Sequence, residues 1–219
     1  MRIVSGVQGK LLPFIFVLIF ALSRWPGLMP DNFSAAYAFA FCAGVFLPRK
    51  ISWWLPLGTL LVTDLALNCY YQFTKDIDCF TLPTLLYMLG NYAGYVVLIA
   101  LGRGFKPKSS FVGLLGGGVL GALLFYLVTN TLSWLLNPFG NPEYLAKTLG
   151  TWILALTKGT GGWPDTWTFL RNTLLSGGLF TGLFALGMKL SESAKEAEEP
   201  EESNEAEIEP TAEPEESKA

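Results

Sequence analysis

The sequence predicts an all-α membrane protein, a bundle of six transmembrane helices with both termini on the cytoplasmic side. Of its 219 residues, 51% are hydrophobic and 15% are charged, and the mean hydropathy is +0.40. Six apolar stretches and an uneven distribution of Lys and Arg between their connections complete the prediction. The chain has no histidine, which excludes catalysis by Ser-His or Cys-His pairs and histidine zinc sites.

Each predicted helix is an apolar stretch of about the length that crosses a hydrocarbon core of about 30 Å. The six stretches are 8–25, 33–47, 51–71, 81–102, 111–136 and 166–189. The second has only about 15 residues and is included mainly because its neighbours require it. The first has a short apolar run after Lys10, and Ala21-Leu22-Ser23 resembles a signal-peptidase site. A retained helix and a cleaved signal peptide, which would leave five helices, therefore both stay open.

The orientation follows from the positive charges in the short connections. One side holds eight of them: Arg2, Lys10, Arg49, Lys50, Arg103, Lys106, Lys108 and Lys189. The other side holds four: Arg24, Lys75, Lys147 and Lys158. This bias places the eight in the cytoplasm, together with both termini.

The chain divides at about residue 190 into a membrane domain, 1–190, and a tail, 191–219. The tail holds 12 of the 18 acidic residues and only two basic ones, a charge of 2 − 12 = −10, while residues 1–190 carry 13 − 6 = +7. Because its only large apolar side chain is Ile208, we expect the tail to be disordered, cytoplasmic and solvated, or else to recruit a partner.

Polar residues within the predicted helices gather in the outer half. Asp64 lies about 20 Å up the third helix, while the inner segments 98–101, 113–122 and 179–188 carry almost nothing polar. Many of these polar residues have an aromatic or amide neighbour four residues away, on the same helix face. Buried charges in hydrocarbon should pair, and we expect Asp64 to pair with Arg171.

This cluster predicts a cavity that opens outward and binds a small polar solute. The candidate solute-binding residues are Asp64, Asn68, Tyr87, Asn91, Tyr95, Asn130, Trp134, Trp167, Arg171 and Asn172. The alternative for each is a structural role, as a hydrogen bond between helices or as part of the interfacial aromatic belt.

Small residues at spacings of four predict close helix packing, or docking of a partner's helix. The main faces are Ala36, Ala40 and Gly44 on the second helix, and Gly113, Gly117 and Gly121 on the fifth.

Two further features lie in the outer connections. Cys69 and Cys79 flank the connection between the third and fourth helices, where a disulfide bond and two free thiols are both open. In the connection 137–165, Pro and Gly bracket a predicted short interfacial helix at 144–156, and 157–164 would form a lid or a strap.

Several runs together resemble an uncharacterised family of bacterial multi-pass membrane proteins. These runs are Asn32-Phe33-Ser34, AAYAFAFCAGVFLPRK, a helix with Pro56 that reaches Thr63-Asp64-Leu65, Leu127-Val128-Thr129-Asn130 with Trp134, and FLRNTLL at 169–175. The resemblance covers roughly residues 24–188. The family in turn resembles the substrate-binding (S) components of energy-coupling-factor (ECF) transporters.

The resemblance implies six helices, cytoplasmic termini and capture of a vitamin-like or other small solute near the outer face. It also implies a coupling subunit and cytoplasmic ATPases as partners, since the chain has no nucleotide-binding motif. S components dock their partner through an Ala-xxx-Ala face on the first helix; here the nearest equivalent is Ala36 and Ala40 on the second.

We therefore expect a non-enzymatic membrane protein that binds a solute and lipids but no nucleic acid, and that has no catalytic residues, cofactor or metal. The competing hypothesis is a non-transporting scaffold whose acidic tail recruits a cytoplasmic partner. An intramembrane enzyme is disfavoured, because one membrane-embedded acid without histidine or a Ser-Lys pair offers little catalytic chemistry.

Overall fold

The computed structural model describes the backbone of residues 4–206 and the side chains of residues 11–193. All regular secondary structure within these residues is helical, as the sequence predicts. The helices are α1 (Val4–Ser23), α2 (Ala36–Phe46), α3 (Arg49–Lys75), α4 (Leu82–Gly102), α5 (Phe111–Leu136), α6 (Leu149–Thr157) and α7 (Thr166–Ala206), with a 3-10 turn at Pro142–Tyr144. The predicted fifth helix, 111–136, coincides with α5.

The short helix α2 forms the centre of the molecule. Ten of its 11 residues are buried, and it contacts each of the other five long helices. Because α2 is apolar on all sides, no polar side chain loses its hydration when other helices surround it, which explains its central position. Gly44 lies directly against the backbone of α4. A Cβ added at Gly44 would stand 3.0 Å from the Cα of Gly102. Ala36 and Ala40 on the same face are fully buried.

Helix α3 presents one narrow buried face to this centre. Ser52, Pro56, Leu60 and Asp64 are its buried residues, and they follow one another at steps of four, on one side of the helix. Trp54 and Phe73, on other sides, are 78% and 85% exposed, as expected of side chains that face lipid. The buried face thus leads from one end of α3 directly to Asp64.

Glycines on α5 allow α4 and α7 to pack closely on either side of it. Gly117 and Gly121 face aromatic and leucine side chains, with Phe41 Cζ and Leu98 Cδ2 each 2.7 Å from where a Cβ would stand. Gly113, at the start of the helix, meets only its own N-cap residue Ser110. Gly118 lies against Thr181 of α7. Helices α4 and α7 both pack against α5 and run antiparallel to it.

Three helices are long and apolar enough to cross a membrane: Leu82–Gly102, Phe111–Leu136 and Thr166–Ser193. Two other apolar helices, Leu11–Ser23 and Ala36–Phe46, are shorter. Helix α3 has 27 residues, but Arg49, Lys50, Asp64 and Lys75 reduce its hydropathy. The described chain is therefore a helical protein of membrane type.

The connections divide the bundle into two ends. We call "tail end" the end with the α2–α3 turn, the α4–α5 loop and Lys189, where Arg103 donates to Ser52 Oγ (3.3 Å) and Lys189 donates to the carbonyl of Pro107 (3.3 Å). We call "loop end" the opposite end, with segments 24–35, 76–81 and 137–165.

Helix α7 passes the boundary predicted at residue 190 and continues to Ala206, so residues 191–206 have a helical backbone. Alanine, glutamate and lysine favour this extension of an existing helix, although Pro200 within it is a poor helix former. The division into a membrane domain and a tail stays a prediction. The rest of the expected disordered tail, 207–219, lies outside the described residues.

The possible disulfide bond is not formed: Cys69 and Cys79 are free thiols, as is Cys42. Helix α3 runs on to Lys75, so Cys69 lies about 9 Å before its end and not at the edge of a loop. The short helix predicted at 144–156 begins later, at Leu149, because Thr148 caps it: Thr148 Oγ1 accepts from the amide of Thr151.

Candidate functional site

An ion pair between Arg24 and Asp64 lies at the loop end of the bundle. Asp64 is 9% exposed, and its carboxylate accepts a hydrogen bond from Arg24 Nη2. The other guanidinium nitrogen, Nη1, donates to Thr63 Oγ1 at 3.2 Å. The expected partner of Asp64, Arg171, is not its partner here. Arg24 takes that place because α1 and α3 pack side by side, whereas Arg171 is exposed on α7.

Aromatic rings surround this pair. The guanidinium carbon of Arg24 lies 5.8 Å from the ring centre of Phe20, and the phenols of Tyr37 and Tyr95 lie near it. Tyr37 and Tyr95 are stacked nearly parallel, with ring centres 6.2 Å apart. Phe125 packs against both, at 4.8 Å and 4.9 Å. Rings from α1, α2 and α4 thus lie near the charge pair, and Phe125 of α5 packs against two of them.

The hydroxyl groups near the pair are only partly used. The Tyr92 hydroxyl lies beside the Asp64 carboxylate, but it is buried without an aligned hydrogen-bond partner among the described residues. Thr173 of α7 is buried next to the Tyr37 hydroxyl. A buried donor without a partner costs free energy, so Tyr92 is a group that a bound molecule or water could satisfy.

The two ends of the segment 24–35, which carries Arg24, are joined by hydrogen bonds. Ser23 and Ser34 are buried, their hydroxyls are 3.2 Å apart, and Ser23 Oγ accepts from the amide of Ala35 at 2.9 Å. On the far side, Asn172 Nδ2 donates to the carbonyl of Asp31 at 2.8 Å. The segment therefore stands as a fixed loop over α1, α2 and α7.

The structure divides the predicted site residues into separate groups. Asp64 and Tyr95 belong to the ion-pair cluster, and Asn68 lies one turn beyond Asp64, with Nδ2 3.5 Å from Met88 Sδ. Asn91 is half-buried on α4. Tyr87 is 45% exposed and packs against Phe139, with ring centres 5.9 Å apart.

Asn130 forms a hydrogen bond within α5, and Trp134 forms one between α5 and α6. Asn130 donates to the carbonyl of Tyr126 in its own helix, at 2.9 Å. Trp134 donates through Nε1 to Thr151 of α6 at 3.1 Å, and Trp152 of α6 donates back to Thr131 at 3.0 Å. These reciprocal bonds hold α6 against the end of α5.

Trp167, Arg171 and Asn172 lie on α7, with no described bond to the ion pair. Trp167 is 49% exposed and donates to Asp165 at 3.1 Å. The Arg171 guanidinium lies 6.0 Å from the ring centre of Trp167 and donates to Asn172 at 3.4 Å. Asn172 holds the segment 24–35.

Two clefts in the described part of the chain lie away from the ion pair. A cleft between α4 and α5 is lined by Tyr87, Gly90, Thr129 and Ser133 among others. An apolar cleft at the tail end is lined by Phe16, Cys42 and Met188 among others. Each has room for about one water molecule, whereas ligand sites usually measure about 300–1,000 Å³. Neither is lined by Arg24 or Asp64.

The sequence reasoning missed Arg24, Tyr37, Tyr92 and Thr173. Arg24 had a usable signal: it directly follows an apolar helix, so its charge lies where a buried carboxylate needs a partner. Tyr37 lies in the most apolar helix and had no polar neighbour at a spacing of four. Its place beside Tyr95 depends on how α2 and α4 pack.

The fold and the cluster define a helical protein of membrane type with a buried charge pair. No group of three or more metal-ligating His, Cys, Asp or Glu side chains occurs in the described part of the chain. The chain belongs to a family of unknown function, DUF6580, whose match covers residues 7–199. No curated protein and no solved structure matches it.

Proposed function

We propose that this chain is a six-span protein of a bacterial cytoplasmic membrane that binds a small polar solute at its loop end. In this proposal the loop end faces outward, both termini are cytoplasmic, and the solute is passed to partner subunits for ATP-driven uptake. The proposal makes the chain a binding subunit similar to the S components of ECF transporters, with no catalytic step of its own.

The observation that carries the proposal is the Arg24–Asp64 pair within its ring of aromatic side chains. A charge in a membrane bundle costs at least about 2.5 kcal/mol, and such residues usually mark a site where a ligand or ion binds. Tyrosine and phenylalanine faces with one carboxylate and one guanidinium supply both stacking and charge for a small solute.

The direct contact of Arg24 with Asp64 places a condition on the mechanism, because the chain's own guanidinium lies against the carboxylate. Outward rotation of the Arg24 side chain would uncover Asp64. The described arrangement is then the closed form, and binding of the solute selects an open one.

The distribution of charge supports the orientation. The tail end carries Arg49, Lys50, Arg103, Lys106, Lys108 and Lys189, and cytoplasmic connections are enriched in such residues. ATP-driven uptake would require partner subunits that bind the nucleotide, because the chain has no nucleotide-binding motif.

The test is stabilisation of the purified protein by a panel of vitamins, amino acids, nucleosides and metal ions. A solute that binds at 100 times its Kd stabilises the folded state by about 2.7 kcal/mol, which shifts Tm by several degrees. We expect one class of solute to raise the Tm of the wild type but not of Asp64→Asn. Lys158→Gln, which removes an exposed charge at the same end, should respond like the wild type. A panel that leaves every Tm unchanged contradicts the proposal.

The tight packing around the ion pair favours a second candidate, a non-transporting scaffold. In it, the pair, the tyrosines and the glycine contacts only fix the arrangement of helices, and the acidic C-terminal residues recruit a cytoplasmic partner. Affinity purification separates the two: co-purification of ATPases and a coupling subunit supports the solute-binding subunit. A soluble partner that is lost when residues 191–219 are deleted supports the scaffold.

A further inference from the structure

We propose that Asp64 and the rings around it form a site for a small organic cation, which Arg24 of the chain itself occupies until the cation displaces it. The inference rests on the proposed function, since it names the class of solute that the same site takes. It follows from three observations: what surrounds the guanidinium, which of the two charges is able to move, and how the charges balance after exchange.

The surroundings of the Arg24 guanidinium are those of a cation-binding site. It faces the Asp64 carboxylate, lies 5.8 Å from the ring centre of Phe20, and has the Tyr37 and Tyr95 phenols nearby. A carboxylate combined with aromatic faces is how proteins recognise ammonium and guanidinium groups. The Tyr92 hydroxyl, beside the Asp64 carboxylate, offers one further acceptor at the same place.

Arg24 is the partner that is free to leave. Asp64 ends the buried face of α3, after Ser52, Pro56 and Leu60, and its short side chain follows that helix. Arg24 stands on the segment 24–35, outside the helices, on a long side chain that is 19% exposed. Outward rotation of its side chain would carry its charge to the solvent and leave the carboxylate and the rings in place.

The charge balance selects the class of ligand. A cation that replaces Arg24 keeps Asp64 paired, so the exchange leaves no buried charge without a partner. A neutral solute in the same position would leave the carboxylate unpaired. An anion would face both the carboxylate and the negative faces of the rings. The site therefore takes a small organic cation with an ammonium or guanidinium group.

Removal of Arg24 provides the test. Arg24→Ala protein keeps Asp64 but loses the occupant, and its thermal unfolding is measured with n-propylguanidinium chloride. n-Propylurea and sodium butyrate, which are neutral and anionic molecules of similar shape, serve as comparisons. We expect n-propylguanidinium to raise the Tm of Arg24→Ala by about 3 °C relative to NaCl. The other two compounds should have no such effect.

Two control variants locate the effect. The double variant Arg24→Ala/Asp64→Asn lacks the carboxylate and should not respond. Lys158→Ala removes an exposed charge at the same end and should respond no more than the wild type. Equal stabilisation by n-propylurea, or an undiminished response of the double variant, overturns the cation site.

Wild-type protein tests the displacement itself, also if Arg24→Ala does not fold. Trp25 follows Arg24 and packs on Tyr70, with ring centres 5.5 Å apart. Displacement of Arg24 should therefore change the Trp25 fluorescence, with no such change in Trp25→Phe. A wild type that gives no Trp25 signal at any n-propylguanidinium concentration below the onset of unfolding overturns the displacement.

The solute panel separates this inference from the proposed function. If a neutral or anionic solute stabilises the wild type in an Asp64-dependent manner, the cation assignment falls and the proposed function stands. If no solute of any charge stabilises the wild type, both fall.

Discussion

At the scale of single residues, the Arg24–Asp64 pair determines how the loop end is organised. Both groups are largely removed from solvent, with 19% of the Arg24 side chain and 11% of the Asp64 side chain exposed, so each depends on the other to offset its loss of hydration. Thr63 completes the arrangement, since it accepts from Arg24 and donates to the carbonyl of Thr59 at 2.9 Å. One ion pair thereby joins the end of α1 to the buried face of α3.

Loss of Arg24 should be far more costly than loss of Arg171. We expect Arg24→Gln to lower the free energy of unfolding by about 3 kcal/mol, because it leaves Asp64 buried without its partner. The matched variant Arg171→Gln should change it by no more than about 0.5 kcal/mol, since Arg171 is exposed. Reversible unfolding in mixed micelles measures both values.

A double variant checks that the two charges act together. Arg24→Gln/Asp64→Asn should lose less stability than the sum of the single variants, because no unpaired charge remains. Additive losses, or a larger loss for Arg171→Gln than for Arg24→Gln, would contradict the pairing.

The sequence alone identified the acid but not its partner. Asp64 was recognisable because a carboxylate inside an apolar helix is expensive and must be paired. Arg171 was the natural choice on the basis of depth along a helix. Depth along an axis, however, does not determine which helices are neighbours, and α1 packs on α3 at this end.

At the scale of helices, the packing of α5 on α7 depends on Gly118 and Gly177. A Cβ at Gly118 would meet Thr181 Cβ at 2.6 Å, and a Cβ at Gly177 would meet Ala122 Cβ at 2.6 Å. Both contacts are with atoms close to a backbone, so neither neighbour is able to rotate away. The helices approach closely only because both positions lack a side chain.

Substitution at Gly118 and at Gly116, two residues apart, should therefore have different effects. Gly118→Ala should cost about 1–3 kcal/mol, because the added methyl group forces α5 and α7 apart. Gly116→Ala is the matched control, since nothing lies within 4 Å of its Cβ position and alanine is the better helix former. Thermal unfolding of the two variants tests this: a lower Tm for Gly118→Ala and an unchanged or higher one for Gly116→Ala are expected. Equal effects would contradict the close contact.

Helix α6 should open more often when the hydrogen bond from Trp134 is removed. Trp134→Phe deletes the bond to Thr151 and should cost about 1 kcal/mol while the ring contact is kept. We expect faster amide hydrogen exchange in residues 149–157, measured by mass spectrometry. Trp163→Phe is the control, because Trp163 is 74% exposed and should leave that exchange unchanged. Unchanged exchange in Trp134→Phe would mean that the bond does not hold α6.

Most of the long helices could be predicted from the sequence because apolar length and helix propensity are local properties. Their order, and the helix 111–136 to the residue, required only composition. The continuation of α7 through 191–206 was missed, because the acidic composition suggested disorder although the same residues favour a helix. The sequence predicts α2 as an apolar stretch too short to span a membrane, but it does not predict that α2 lies at the centre.

At the scale of the whole molecule, the two ends differ in charge and in structure. The tail end gathers cations around tight connections, and the loop end holds the ion pair, the tyrosines and α6. The candidate site could be predicted only as a tendency of polar residues toward one end. The sequence could not show that Trp167 and Arg171 are exposed while Tyr37 and Tyr92 adjoin the pair, because that depends on how each helix is rotated.

The orientation is testable with two exposed lysines at opposite ends. In a background without Cys42, Cys69 and Cys79, Lys158→Cys should react with an impermeant maleimide in intact cells. Lys108→Cys should react only after permeabilisation. Each substitution removes a single cation, so the charge bias of eight to four keeps its direction. The reverse pattern of labelling would place the loop end in the cytoplasm.

The most direct measurement of solute capture is the analysis of small molecules that co-purify with the protein. Wild-type protein and Asp64→Asn are purified in parallel from the same cells, and the extracted small molecules are quantified by mass spectrometry. We expect one polar solute at up to one molecule per wild-type chain, and its loss from Asp64→Asn. If no solute is enriched, or if both proteins carry the same one in equal amount, the loop-end cluster does not bind a solute.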